Sequence, residues 1–227
     1  MHAENAFWIG AVRVERGAPA KRDLMSGWRA AAIYMLDPSR IDKRRQNAGL
    51  RALNKEQDPG ETSRALAAQA GRFRLATLRS GDLVDLAAFR KTAHYDWHYR
   101  ALDISDRLWA VFPVNDDTEA YYCFDKHRKN SRFTDRDREI AANVLRGLKW
   151  FHRQLLLSHG LGAGEKSLTA NQRRLVHLLL TDKTEKQIAD HLKLTQGSVH
   201  QYAVSIYRKF GVRGRAGLMA MWLSRGA

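Results

Sequence analysis

The chain has 227 residues, 44% hydrophobic and 9% aromatic, enough apolar surface for a packed core and inconsistent with a disordered chain. Its net charge of +15 favours a polyanionic partner, either nucleic acid or an anionic membrane surface. No apolar run approaches the ~20 residues that span a bilayer, and the single cysteine excludes an internal disulfide and any cysteine-based zinc motif.

The length allows one or two domains. Met1 to Gly17 lacks the basic-then-apolar pattern of a secretory leader, so a cytoplasmic location is expected. Trp28–Leu36 is apolar with little periodicity and reads as a central, buried strand. Arg40–Pro59 is polar and poorly patterned, and reads as loop or irregular helix. Helical patterns follow near Thr62–Leu78 and Leu83–Thr92.

The next stretch is chemically dense: His94-Tyr95-Asp96-Trp97-His98-Tyr99, then Asp103, Asp106 and Trp109. On a strand, His94, Asp96 and His98 share a face, as a two-histidine, one-carboxylate metal site needs. On a helix, His94 and His98 again share a face, so spacing does not discriminate. The plainer reading is an aromatic wall of the core or of a small-molecule pocket, with Tyr95, Trp97, Tyr99, Trp109, Phe112 and Tyr122 as candidate lining. The expectation is no bound metal and no cofactor, with a metal sensor at His94/Asp96/His98 as an alternative.

Arg107–Val114 and Glu119–Asp125 flank the turn-prone Asn115-Asp116-Asp117-Thr118, which predicts a β-hairpin. Cys123 lies within its second strand and reads as a buried thiol. A long helix is then predicted. Thr134 is its N-cap, and Asp135 and Asp137 suit the positive end of the helix dipole. Ile140, Val144, Leu148, Phe151 and Leu155 form one apolar stripe, widened by Leu145 and Trp150. Packing on the sheet is the first reading of this stripe and dimerisation the second.

Three glycines in Ser158–Glu165 break the pattern. They divide a first domain, 1–158, from a linker at 159–166 and a second domain, 167–227. From Glu165 onward, eleven Lys/Arg face four Asp/Glu, a net +7. Thr169 with Gln172 and Thr184 with Gln187 are capping boxes, and Thr195 caps a third helix. Leu175, Leu178, Leu179, Ile188, Ala189, Leu192, Val199, Ala203, Ile206 and Phe210 have the spacing of a small helical core. The short turn Lys193-Leu194-Thr195, with its apolar residue facing in, joins two helices as in a helix-turn-helix, whose second helix enters the major groove. Arg215–Leu223 supplies a fourth helix, with Leu218, Met221 and Trp222 on one stripe.

The text LT-x-x-Q, T-E-K-Q-I-A, S-V-x-x-Y and I-Y-R-K-F-G-V, followed by Arg215, resembles the LuxR-type (GerE-type) helix-turn-helix of bacterial regulators over the last sixty or so residues. Gln172, Asp182, Glu185 and Tyr202 stand where that family usually has Glu, Gly, Asn and His. The resemblance implies double-stranded DNA as partner, a homodimer, and a recognition helix over Thr195–Phe210. By matching position it implies base contacts from His200, Gln201 and Val204. Gln pairs with adenine and Val meets a thymine methyl. Phosphate contacts are expected from Lys186, Thr195, Gln196, Ser198, Arg208, Lys209, Arg213 and Arg215.

The order of strand, helices, hairpin and long helix in the first domain resembles a PAS/GAF-type sensor. The expected fold class is therefore α+β: an antiparallel sheet with helices, followed by an all-α four-helix domain. Acyl-homoserine-lactone receptors share the LuxR-type family, but their Trp/Tyr/Asp pocket pattern is not found here. A small-molecule effector and a ligand-independent regulator both stay open. No nucleophile elbow, phosphate loop or acid/base pair is present, so a catalytic site and an enzyme are not expected. The alternative to a specific regulator is a non-specific architectural DNA binder, for which high positive charge suffices.

Overall fold

The computed structural model describes residues 2–14, 23–35, 59–128, 131–161 and 168–224. The chain forms two compact units, Met1–Lys149 and Trp150–Ala227. The expected loop at Arg40–Pro59 lies outside the described residues save for Pro59, as does most of the expected linker.

The first unit is built on a five-stranded antiparallel sheet in the order β2-β1-β5-β4-β3. Its strands are β1 Asn5–Arg13, β2 Trp28–Met35, β3 Arg74–Thr77, β4 Asp106–Asn115 and β5 Thr118–Lys126. The mixed α+β class is as expected. The hairpin is β4–β5, and Asn115 Oδ1 fixes its turn by accepting from Asp117 N and Thr118 Oγ1, both at 2.9 Å. The strand expected at the centre, β2, is an edge strand. Asn5–Arg13, which sequence patterning missed, occupies the inner place between β2 and β5.

Strand alternation sends neighbouring side chains to opposite faces. On one face Ala11, Trp28, Trp109, Val111, Tyr121 and Cys123 pack with Leu66, Phe89 and Tyr99. These last three come from α1 Glu61–Ala67, α2 Leu86–Phe89 and a π-helical turn at Tyr95–Arg100. α3, Asp135–Arg146, lies against β3 and β4 and buries Ala141, Ala142 and Leu145.

Two expected helices are divided. Thr62–Leu78 contains α1 and then β3, because the chain turns through Gly71 at φ 87° and Arg74 must reach the buried Glu119 carboxylate, Nη2 to Oε2 2.6 Å. The long helix breaks at Gly147-Leu148 into α3 and α4, Lys149–Ser158. The break separates two different burial partners. α3 serves the first unit, whereas Leu157 of α4 joins the core of the second. The predicted stripe is consequently not buried as a whole: Ile140, Val144, Trp150 and Phe151 are exposed.

The second unit comprises α4 with α5 Ala170–Leu179, α6 Glu185–Leu192, α7 Gln196–Lys209 and α8 Arg215–Leu223. Leu175, Val176, Leu179, Ile188, Ala189, Val199, Ala203, Ile206, Phe210 and Leu218 form its core. Arg153 and Gln154 of α4 donate to the carbonyls of Met221, Ser224 and Trp222, capping the free end of α8. By its contacts α4 belongs with this bundle, so the division falls nine residues before the expected linker.

Candidate nucleic-acid interface

The helix-turn-helix is α6 and α7. Three helices of the bundle, α5, α6 and α7, start on a threonine. Thr169 Oγ1 accepts from Gln172 N at 3.2 Å while Gln172 Oε1 accepts from Thr169 N at 3.0 Å. Thr184 and Gln187 repeat this exchange at 3.3 and 2.8 Å. Thr195 accepts from Ser198 N at 3.1 Å. Fixed starts set the rotation of each helix, and hence which side chains face out.

α6 ends at Lys193, which takes the left-handed conformation at φ 56°. Leu194 N then donates to Ala189 O at 2.9 Å, closing the turn. Leu194 itself is exposed, not turned inward as its apolar character suggests. The backbone bond, together with Ala189, which is buried between the helices, secures the turn. Lys193 is an exposed cation in this turn that motif reading passed over.

On α7 the buried positions are Val199, Ala203 and Ile206. The opposite side presents Gln196, Gly197, His200, Gln201, Ser205 and Arg208 to solvent, with Val204 half-buried among them. His200, Gln201 and Val204 thus lie together on the outward stripe. Lys186 is exposed at the start of α6, Lys209 is half-buried at the end of α7, and Arg213 just beyond it is exposed. Thr195 is exposed and Ser198 half-buried; their hydroxyls bond each other at 2.8 Å besides capping the helix.

Arg215 is the exception among the expected phosphate contacts. Its Nε donates to Leu179 O at 2.7 Å, Nη1 donates to Lys183 O at 2.6 Å, and Nη2 donates to Thr181 O. The guanidinium ties the start of α8 to the end of α5 and the loop after it. Its charge is spent on carbonyls left open by a helix end.

A second pairing was not anticipated. His200 Nδ1 stands 3.3 Å from both carboxylate oxygens of Glu185, the first residue of α6.

In the first unit, the six candidate pocket residues do not form one wall. Tyr95, Tyr99 and Trp109 belong to the cluster on one face of the sheet. Phe112 and Tyr122 pack with each other on the opposite face, ring centroids 6.1 Å apart. Trp97 is exposed. Tyr99 is buried with its hydroxyl 3.1 Å from Thr62 Oγ1. Burial raises the ionisation point of this phenol.

The His94/Asp96/His98 group does not converge on one point, although the His94 and His98 rings lie 5.6 Å apart. His94 Nδ1 meets Glu61 at 3.2 Å, and Asp96 pairs with Arg100 at 2.6 Å on the surface. His98 Nε2 faces the Arg107 guanidinium at 2.9 Å, and Arg107 in turn forks onto the Asp125 carboxylate at 2.6 and 2.8 Å. Burial first, then the charges of Arg107 and His94, push the His98 imidazole well below its ordinary 6.5. Its Nε2 is therefore a bare acceptor for Arg107. Among the described residues, no group of three or more His, Cys, Asp or Glu is placed to hold a metal ion. Cys123 is buried, and burial pushes its thiol up to about 12.

Residues 166–222 match the family model of the bacterial regulatory proteins of the luxR family, GerE. The second unit carries a luxR-family domain. This family's helix-turn-helix is the α6–α7 pair just described. Among solved structures, the chain is similar to Escherichia coli SdiA, with 12% identity over 96% of this chain and 82% of that one, at a TM-score of 0.42. It is similar too to SdiA in complex with octanoyl-rac-glycerol, with 11% identity over 96% and 80%, at a TM-score of 0.42. No curated protein matches the chain significantly. Among the described residues, no helix is long and apolar enough to cross a membrane.

Proposed function

We propose that this protein is a cytoplasmic transcription regulator that binds operator DNA in the major groove through α7. The observation that carries the reading is the outward stripe of α7. It is a polar face on a helix fixed at its start by Thr195, behind a tight turn from α6, flanked by the cations Lys186, Lys193 and Arg208. Such a helix meets the groove with short side chains toward base edges and cations toward phosphates.

His200, Gln201 and Val204 are the proposed base contacts. Lys186, Thr195, Gln196, Ser198, Arg208, Lys209 and Arg213 are the proposed phosphate contacts. Arg215 is withdrawn from that set, since its donors are engaged within the bundle. The first unit is the proposed sensor or dimerisation module, and a homodimer would require two half-sites about one helical turn apart. No catalysed reaction is part of the proposal.

The test is selection of bound duplexes from a random pool at fixed salt. A specific regulator enriches a two-fold related motif. Equal recovery of all sequences would instead identify an architectural binder held by charge alone.

A further inference from the structure

The Glu185–His200 pair joins two elements of the candidate interface, the first residue of α6 and the second turn of α7. Both oxygens of Glu185 lie 3.3 Å from Nδ1 of His200. The His200 side chain is 65% exposed, that of Glu185 33%. Among the described residues, no group bonds the other ring nitrogen, Nε2.

A carboxylate only accepts hydrogen bonds, so the pairing requires hydrogen on Nδ1. In the neutral imidazole, Nε2 is then bare and can only accept. A histidine free of such a partner can present N–H from Nε2, as can a protonated one. Glu185 therefore selects what His200 offers to the groove. In the major groove, adenine N6 and cytosine N4 donate, whereas guanine presents N7 and O6 acceptors and thymine presents O4 and a methyl group.

We propose that Glu185 is a specificity-determining residue: it holds His200 as an acceptor, so that each half-site carries adenine or cytosine opposite His200 and excludes guanine. This rests on the proposed reading of α7 as the helix that enters the groove. Glu185 acts as a positioning residue and His200 as the contact. The carboxylate is placed where phosphates approach, at the start of α6 beside Lys186, and its bond to His200 turns it from a repulsive charge into part of the readout.

The test is base-resolved selection from a random duplex pool with the full chain, in mildly alkaline buffer. His200→Ala identifies the contacted position as the one whose preference flattens while others persist. Wild type enriches adenine or cytosine there about tenfold over guanine, the factor that one good base contact supplies. Glu185→Lys gives Nδ1 a donor in place of an acceptor, leaves hydrogen on Nε2, and shifts the preference to guanine. Glu185→Gln, whose amide serves either role, relaxes it with little change in charge geometry. Guanine or thymine at that position in wild type overturns the inference, as does an unchanged preference in both Glu185 variants. If Gln201→Ala flattens a position and His200→Ala flattens none, the inference falls while the function stands. If no sequence is enriched at all, both fall.

Discussion

Arg215→Ala separates two roles that a cationic residue can hold in a DNA-binding bundle. If Arg215 contacted phosphate, its loss would leave the fold intact and lower the salt dependence of DNA binding by about one unit of slope. The structure predicts the reverse. Three donors of the guanidinium reach the carbonyls of Leu179, Thr181 and Lys183, from a side chain that is half-buried. Charged hydrogen bonds contribute about 1.5–3 kcal/mol each when buried. The Thr181 carbonyl is exposed and regains water, and the others regain some, so the expected net loss is about 2–3 kcal/mol. Arg215→Lys keeps the charge but not the fork, and loses most of the same amount. The assay is urea unfolding of the full chain read by hydrogen exchange at α5 and α8 amides, alongside DNA affinity at several salt concentrations. A wild-type unfolding profile combined with a reduced salt slope would refute the reasoning.

Three further outcomes are expected. Arg74→Ala strands the Glu119 carboxylate, which is fully buried and hydrogen-bonded to Arg74, Tyr121 and Gly71 N, and should cost about 3–5 kcal/mol in urea unfolding; Arg74→Met with Glu119→Leu should recover most of that loss. His98 is held neutral in the folded first unit, so the unfolded chain binds a proton that the folded chain refuses. Unfolding free energy should then fall as pH drops below the ordinary 6.5, by up to about 1.4 kcal/mol per pH unit, and His98→Asn should remove that slope from hydrogen exchange at β4 and β5. Arg208→Ala should weaken binding to all sequences alike and reduce the salt slope by about 0.9, whereas Gln201→Ala with Val204→Ala should alter base preference at unchanged slope.

The second unit was legible because its signals are local and agree. Threonine caps with glutamine three residues on, and apolar positions at helical spacing, specify α5, α6 and α7 without reference to the rest of the chain. The first unit was legible where pairing is local, at the β4–β5 hairpin, and opaque where it is distant. β3 is four residues long and is fixed by pairing with β4 more than thirty residues later. β1 pairs with β2 on one side and, on the other, with β5 more than a hundred residues later, and its run Ala6–Val12 shows no polar alternation to mark it. The apolar stripe from Ile140 to Leu155 looked continuous because a helical pattern continues in phase across Gly147-Leu148, while the backbone does not.

The candidate site divides along the same line. That α7 faces outward with His200, Gln201 and Val204 follows from spacing within one helix. The roles of individual side chains depend on partners far away in sequence. Arg215 reads as a phosphate ligand until its carbonyls, 32 to 36 residues upstream, are in view. His200 reads as a base contact of either sense until Glu185, fifteen residues upstream on the neighbouring helix, fixes which nitrogen bears hydrogen. Trp109 and Phe112 read as one aromatic wall until strand alternation sends them to opposite faces. A motif therefore identifies the surface proposed to meet DNA. On that proposal, base preference is a property of pairs across α6 and α7, and substitution at Glu185 should change it without touching a single residue of the proposed recognition helix.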